Sequence, residues 1–281
     1  GGFTTHSFPP FPGSTYTTIS MAVTPTCLAF VSYERELYLL DMESNLELIT
    51  HDYLGKKNTS AYASISFDQL IQFRNEAREK YGPNDFLQKK MYHVVDDIVK
   101  PICAQTNTSY ARYLNPNGLH TEAFVTHCWG EPFGQFVESI EAAFKSRFHK
   151  PNLWICAFAL VQGSGEVVQK QVDVPRLEDS PFVQALKQSK SFVVVRNPNV
   201  DIYSRVWCVC EVYFAKKFGF FPKSVDVVGP RSFSHAVSGC MDAESSNPKD
   251  KYTILRELMK EKFEVIEEID GLIRKLRDIS H

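Results

Sequence analysis

Between residues 120 and 229 the chain alternates short apolar runs with amphipathic segments, and this alternation limits the possible folds more than any other feature. Four apolar runs predict buried strands: Ala123–His127, Leu153–Leu160, Ser191–Arg196 and Ser224–Val228. Three segments with helical spacing or a helix start lie between them, namely 133–144, the segment opened by Ser180-Pro181, and Tyr203–Phe218. Strands that alternate with helices predict an α/β fold whose parallel sheet is covered on both faces.

The residues before this region predict two helices. Ser66 and Gln69 form a capping box at the start of the first helix, which Gly82-Pro83 ends. The second has an apolar face made by Leu87, Met91, Val94, Val95 and Ile98, with Pro101 limiting the run. We therefore divide the chain into an N-terminal extension with a helical pre-domain (1–119), an α/β domain (120–229), and a linker with a C-terminal amphipathic helix (230–281).

The two ends of the chain differ in how clearly they can be assigned. The first 20 residues are rich in Pro, Thr, Ser and Phe without periodicity, which predicts an extended arm. Residues 27–54 mix apolar runs with charges and are left unassigned between strand and helix. The tail over 251–279 predicts one amphipathic helix, with apolar residues Leu255, Met259, Ile266, Ile269, Ile273 and Leu276. We expect this helix and the N-terminal helices to pack on the α/β domain, with an oligomer contact as the alternative for the tail.

Composition excludes several classes of partner. The chain has 281 residues and a formal charge of −2, so no basic field indicates a nucleic acid or an anionic membrane. Its longest apolar run, 153–161, is far shorter than the roughly 20 residues that cross a bilayer. Seven cysteines without CxxC pairs or Cys/His ligand spacing are typical of reduced thiols, so we expect a cytoplasmic protein without a bound metal.

The familiar phosphate and hydrolase motifs are missing from the sequence. Gly163-Ser164-Gly165 is not a dinucleotide fingerprint, because Val168 takes the place of the third glycine. There is no Walker A sequence, zincin motif or nucleophile elbow. The sequence therefore gives no support to phosphoryl transfer or serine hydrolysis, and we expect no cofactor.

One carboxylate interrupts the apolar wall of the helix predicted over 203–218. Ligands of open parallel sheets collect at the carboxyl ends of the strands, and Glu211 follows the third of them. A buried carboxylate is costly unless it has a partner, a solvent-filled cleft or a ligand. Trp207 lies on the same helix face four residues earlier, and Ser204 one turn before it. Glu211 is thus the candidate catalytic residue, with a structural acid paired to an Arg or to the backbone as the alternative.

These residues resemble the S-x-x-W-C-x-x-E signature of TIR domains, the Toll, interleukin-1 receptor and resistance protein family. Two further segments agree: Val125-Thr126-His127-Cys128-Trp129-Gly130-Glu131 resembles the first strand and Gly-Glu turn, and 182–195 resembles the helix and strand before the signature. Asn247-Pro248-Lys249-Asp250 resembles a downstream element of TIR-like proteins in unicellular algae. The resemblance covers about 110 residues and implies a flavodoxin-like fold.

The resemblance also implies an activity. TIR domains either cleave NAD+ at its nicotinamide ribosyl bond, as glycohydrolases or ADP-ribosyl cyclases, or act as self-associating scaffolds in signalling and immunity. The family's catalytic acid corresponds to Glu211. NAD+ is then a substrate, not a cofactor, and a noncatalytic scaffold or a sensor of nucleotide derivatives is the alternative.

Further candidate substrate-binding residues lie at the same strand ends: His127, Trp129, Phe158, Arg196, Ser204 and Trp207. Trp129 could stack on a nicotinamide or adenine ring, with simple packing as its alternative, and packing is also the alternative for His127 and Trp207. Pro132-Phe133-Gly134 stands where plant-type domains carry Asp-Thr-Arg. The phosphates would then be met by Arg196, Arg205 or Arg176, or by backbone N–H groups at the start of a helix.

The loop over 162–179 matches by position the mobile loop with which TIR domains gate the pocket and self-associate. Its Gly163, Gly165 and Pro175, with few large apolar residues, predict weak local stability.

Overall fold

The computed structural model describes residues 59–230, 239–261 and 264–279, and the backbone of three strands nearer the N-terminus. The chain divides into two compact units between Asn58 and Thr59. The first contains an antiparallel sheet of β1 (Ser20–Val23), β2 (Cys27–Val31) and β3 (Leu37–Asp41), in that order. Two of the apolar runs left unassigned are thus strands. The arm expected over the first 20 residues lies outside the described residues except for Ser20.

The second unit opens with a helical segment of 50 or so residues. Its helices are α1 (Phe67–Tyr81), α2 (Pro83–Phe86), α3 (Met91–Val94), α4 (Lys100–Thr106) and α5 (Tyr110–Leu114). The predicted capping box is confirmed: Ser66 Oγ accepts from the Gln69 N–H at 3.1 Å, and Gln69 Oε1 accepts from the Ser66 N–H at 2.8 Å. Gly82 ends α1 with a φ of +77°, a conformation that glycine adopts without strain.

The second predicted helix differs from the expectation. Leu87 is 60% exposed and lies outside any helix, and a π-helical turn over Val95–Val99 carries the chain through Pro101 into α4. Pro101 has no N–H for the carbonyl of Asp97, and the Lys80 ammonium donates to that carbonyl at 2.8 Å instead. The helix therefore continues past the proline that was expected to limit it.

A four-stranded parallel sheet forms the centre of the second unit. Its strands are β4 (Ala123–Thr126), β5 (Leu153–Ile155), β6 (Ser191–Val195) and β7 (Val225–Val228), in the order β5-β4-β6-β7. All three pairs are parallel. This order is compatible with a flavodoxin-like sheet, in which the strands are added first to one side and then to the other side of the first strand. The predicted α/β class is confirmed.

Helices follow each of the first three strands of this sheet. They are α6 (Phe133–Phe144), α7 (Cys156–Ala159), α8 (Gly165–Val172), α9 (Pro181–Gln188) and α10 (Val206–Lys217), followed at the C-terminus by α11 (Pro248–Glu261) and α12 (Glu264–Asp278).

Two sequence-based boundaries are corrected by these elements. The strand expected over 153–160 ends at Ile155, and its second half is the helical turn α7. The loop expected over 162–179 contains the two-turn helix α8. The tail is helical over α11 and α12, on either side of residues 262–263, but Met259 on its predicted apolar face is 46% exposed. A continuous apolar run does not distinguish strand from buried helix, which explains the first of these errors.

Two hydrophobic cores lie on opposite faces of the sheet. Alternate strand residues point to opposite faces, so Phe124 and Phe192 belong to one core and Val125 and Val193 to the other. The first core includes residues of α9, α10, α11 and α12, and the second includes residues of α1, α3, α4, α5 and α6. The expected packing of both flanks on the sheet is therefore observed. The division of the chain between Asn58 and Thr59 falls inside the segment 1–119 that was assigned from the sequence.

Candidate functional site at the carboxyl edge of the sheet

The carboxyl ends of β4, β5 and β6 meet at one edge of the sheet, where the chain order reverses. Thr126 is the last residue of β4 and His127 follows it, and Cys156 follows β5. The helix after β6 brings Glu211 to the same place. Ligands of doubly wound folds bind at this edge. It is the region in which the sequence predicted the site.

Glu211 is buried at this edge, with 6% of its surface exposed. Burial raises the pKa of its carboxyl to about 8, and the nearby Thr126 hydroxyl and His127 lower it only in part. Glu211 Oε2 and Thr126 Oγ1 are both buried without a well-aligned hydrogen-bond partner among the described residues. A buried oxygen without such a partner is costly, so the carboxyl is held in a strained environment.

His127 lies between an acid and a thiol. Its Nδ1 is 3.4 Å from Glu131 Oε1, and its Nε2 is 3.4 Å from Cys156 Sγ. Although burial opposes the charged imidazole, the Cys156 sulfur and the Glu131 carboxylate raise the pKa of His127 well above its ordinary value. Burial also raises the pKa of Glu131, whose Oε1 accepts the backbone N–H of Cys128 at 3.1 Å. Glu131 and Cys156 were not among the predicted site residues, although the His-x-x-x-Glu spacing and a cysteine at a strand end were visible signals.

Trp207 is held by packing and by one hydrogen bond. Its ring stacks on Phe182 with centroids 4.7 Å apart, and its Nε1 donates to Asp250 Oδ2 at 3.0 Å. Gln169 Nε2, on α8, donates to the other oxygen of Asp250 at 3.1 Å. Asp250 belongs to the Asn-Pro-Lys-Asp element, so this element and the Trp of the signature meet in space. A cleft of about 20 Å³ lies beside them.

Phe158 and Arg196 have partners away from Glu211. Phe158 is buried in the second core, with its ring centroid 4.9 Å from that of Phe73. Arg196 donates to the carbonyls of Gly229, Arg277 and Ile279 at 2.9–3.1 Å. It therefore ties the ends of β7 and α12 to β6. Arg196 directly follows β6, whereas Phe158 lies in the helical turn α7 that follows β5. Position in the chain alone does not give the direction of a side chain.

Ser204 and Trp129 contact neighbouring residues of the protein. Ser204 Oγ donates to the Asp201 carbonyl at 2.7 Å, which stabilises the turn that enters α10. Trp129 is partly buried and packs against both cores. Its carbonyl accepts from the Tyr92 N–H at 3.4 Å.

The two other arginines considered for phosphate binding differ in their surroundings. Arg176 forms an exposed ion pair with Asp179 at 2.7 Å. Arg205 lies at the start of α10. Burial raises the pKa values of the Cys128 and Cys208 thiols at the site edge, and the charge of Arg205 opposes this rise in part. Of the two, only Arg205 lies close to the site.

No group of three His, Cys, Asp or Glu side chains in the described part of the chain is arranged to hold a metal ion. Among the described helices, none has the length and apolar character needed to cross a membrane.

The chain matches no model of a known protein family, no curated protein and no solved structure. The resemblance to TIR domains therefore rests on its motifs.

Proposed function

We propose that this protein is a TIR-type enzyme that cleaves the nicotinamide ribosyl bond of NAD+, as a glycohydrolase or cyclase, in signalling or defence. Glu211 is the catalytic carboxylate. The observation that carries the proposal is the burial of this acid at the carboxyl edge of the sheet, with Oε2 lacking a well-aligned hydrogen-bond partner among the described residues. An acid kept at such a cost is typical of functional sites.

The chemistry fits a single carboxylate. Cleavage of an N-glycoside passes through an oxocarbenium-like state, which a nearby negative charge stabilises. Nicotinamide leaves as a neutral molecule, so no general acid is needed. The nicotinamide ring of bound NAD+ is cationic, and a cation beside Glu211 lowers the pKa of its carboxyl from about 8, which favours the reactive, ionised form.

Substrate entry requires the edge to open. The cleft beside Trp207 holds about 20 Å³ and Glu211 is not among its lining residues, whereas sites for molecules of this kind occupy roughly 300–1,000 Å³. The element best suited to move is α8, because most of its residues are exposed or half-buried and Val172 alone is buried. This role agrees with the gating loop that the TIR resemblance implies over 162–179.

Arg205 is the best candidate for the diphosphate of NAD+. Its influence on Cys128 and Cys208 indicates that its charge reaches the site, and its Nη1 makes only a long contact of 3.4 Å with Ser246 Oγ. A guanidinium binds phosphate oxygens with a paired geometry that suits this task. The charge of Arg196, in contrast, is directed to backbone carbonyls.

Release of nicotinamide from NAD+ by the purified chain tests the proposal. We expect turnover by the wild type and a loss of at least about 100-fold in Glu211→Gln, which keeps the size of the side chain but removes its charge. Glu138→Gln, an exposed acid on α6, is the matched control and should retain activity. Equal rates in wild type and Glu211→Gln would show that Glu211 is not the catalytic acid. Unfolding of Glu211→Gln would instead favour the structural interpretation.

The closed edge favours a second candidate, a TIR scaffold or nucleotide sensor without turnover. With its pKa near 8, Glu211 is mainly protonated at neutral pH in this closed form. No nicotinamide release under any condition would support this alternative. Light scattering over a concentration series then separates a self-associating scaffold from a monomeric sensor.

A further inference from the structure

Cys156 is in contact with an imidazole whose opposite ring nitrogen lies near a carboxylate. Its Sγ is 3.4 Å from His127 Nε2, and the opposite ring nitrogen is 3.4 Å from Glu131 Oε1. Glu131 is in turn fixed by the Cys128 N–H, and the His127 ring packs on Phe136 with centroids 5.0 Å apart. A thiol, an imidazole and a carboxylate in this order form the arrangement that activates cysteine nucleophiles.

Cys156 differs from the other described cysteines in two respects. It has 9% of its surface exposed, compared with 1–5% for the remainder. It also has an imidazole partner, whereas burial raises the pKa of each of the other five thiols: Cys103, Cys128, Cys208, Cys210 and Cys240. The others are therefore disfavoured as thiolates, and the thiolate is the reactive form.

The charge distribution favours an imidazolium at His127. The pKa of His127 is raised even though its ring is fully buried, because the Cys156 sulfur and Glu131 favour its protonated form. Glu131 acts here as a positioning residue, since it contacts the ring on the side away from sulfur. Glu211 lies on the same side of the edge and adds a further site for negative charge near His127.

We propose that Cys156 is a peroxide-reactive thiol, held as a thiolate by His127 and oriented through Glu131. The tight packing around Cys156 favours a small, uncharged oxidant, and hydrogen peroxide fits this description. The thiolate sulfur attacks one peroxide oxygen and the O–O bond breaks. The leaving hydroxide takes the proton from His127 Nε2, so the products are a sulfenic acid and water. Sulfur loses two electrons and peroxide gains them.

Two measurements on the full-length chain test this site. The first is titration with hydrogen peroxide in the presence of a dimedone-type probe, followed by peptide mapping. The second is the pH dependence of alkylation by iodoacetamide at each cysteine. We expect Cys156 to react at least about 10-fold faster than each of the other five described cysteines at pH 6.5, with a rate that is already close to its plateau at that pH.

Variants assign the cause. Cys156→Ser should remove the fast reaction, and His127→Gln and Glu131→Gln should each slow alkylation of Cys156 at pH 6.5 by about 10-fold. Cys240→Ser is the matched control, because Cys240 is buried beside the Asp270 carboxylate and has no imidazole, and it should leave the rate at Cys156 unchanged. If His127→Gln does not fold, the pH dependence of alkylation in the wild type and the alkylation rate of Cys156 in Glu131→Gln still test the proposal. An alkylation rate at Cys156 that rises through about pH 8.5, as for an ordinary thiol, or an unchanged rate in the folded variants would overturn the proposal.

Discussion

At the scale of single residues, the carboxyl edge of the sheet contains several buried ionisable groups whose pKa values are shifted. The pKa values of Glu131 and Glu211 are raised by burial, and that of His127 is raised by its acidic neighbours. All three shifts have the same consequence for stability. The folded protein retains protons that the unfolded chain releases, so each group makes folding less favourable as pH rises.

We predict that Glu211→Gln stabilises the fold in a pH-dependent manner. Well below pH 4.5 both states of the wild type hold the proton, and the variant should be about as stable as the wild type. Between about pH 4.5 and 8 the unfolded chain loses the proton and the folded protein keeps it, so the stability of the wild type falls. The variant lacks this term and should be more stable by on the order of 3 kcal/mol at pH 8. Urea unfolding at pH 5 and pH 8 measures the difference.

The exposed acid Glu138 on α6 supplies the control for this measurement. Glu138→Gln should change stability by less than about 0.5 kcal/mol at both pH values. A stability difference between Glu211→Gln and wild type that stays constant from pH 5 to pH 8 would contradict the raised pKa.

The limits of prediction are visible in the same residues. A lone carboxylate in an apolar helix wall singled out Glu211, and the structure buries it at the strand ends as expected. Phe158 and Arg196 were chosen for their position at strand ends, but their contacts depend on where the side chains point. Cys156 and His127 are 29 residues apart and follow two different strands, so sequence spacing alone does not reveal their contact.

At the scale of elements, α8 is tied to α11 by a hydrogen bond and an ion pair. Asp250 accepts from Gln169 on α8 and from Trp207 on α10, and the Lys249 ammonium is 2.7 Å from Asp173 Oδ2 just after α8. The sequence predicted a mobile loop here because glycine and polar residues dominate. A helix of eight residues is too short for its pattern to stand out in the sequence, and its ties come from a segment some 80 residues later.

We predict that Asp250→Ala releases α8 without unfolding the protein. The substitution removes the hydrogen bond that Gln169 on α8 donates to Asp250, worth about 1 kcal/mol, so amide exchange in Gly165–Val172 should accelerate by roughly 5-fold. Hydrogen exchange followed by mass spectrometry measures it. Tyr252→Ala changes an exposed ring on the same helix and should leave the exchange of α8 unchanged. Exchange in α8 that is already as fast in the wild type as in Asp250→Ala would show that these ties do not hold the helix.

Other elements were predictable because their signals are local. The capping box of α1, the Ser180-Pro181 start of α9 and the apolar stripe of α6 depend on residues within one or two turns, and all three are confirmed. The division between β5 and α7 depends on tertiary packing, since the apolar run over 153–160 is buried in either conformation.

At the scale of the whole second unit, the C-terminal helices complete the core on one face of the sheet. Ile254, Leu258, Ile269 and Ile273 are buried in that core. The end of α12 is fixed by the buried ion pair of Arg277 with Asp201, at 2.6 Å. Burial of one such aliphatic side chain stabilises a fold by about 1.5–3 kcal/mol, and the four together compare with the total stability of a typical domain. We infer that the sheet and these helices unfold together.

The neighbouring residues Leu258 and Met259 test this cooperativity. Leu258 is fully buried and Met259 is 46% exposed, so they sample the inner and outer faces of one helix. We predict that Leu258→Ala costs about 2–5 kcal/mol and lowers the melting temperature of the whole unit in a single transition, because the cavity it leaves lies in the shared core. Met259→Ala should cost less than about 0.5 kcal/mol. Thermal unfolding measured by circular dichroism, together with limited proteolysis, distinguishes the outcomes. If the helices were an accessory layer, Leu258→Ala would loosen them alone, and proteolysis would release a stable fragment near 120–229 that has lost both flanks.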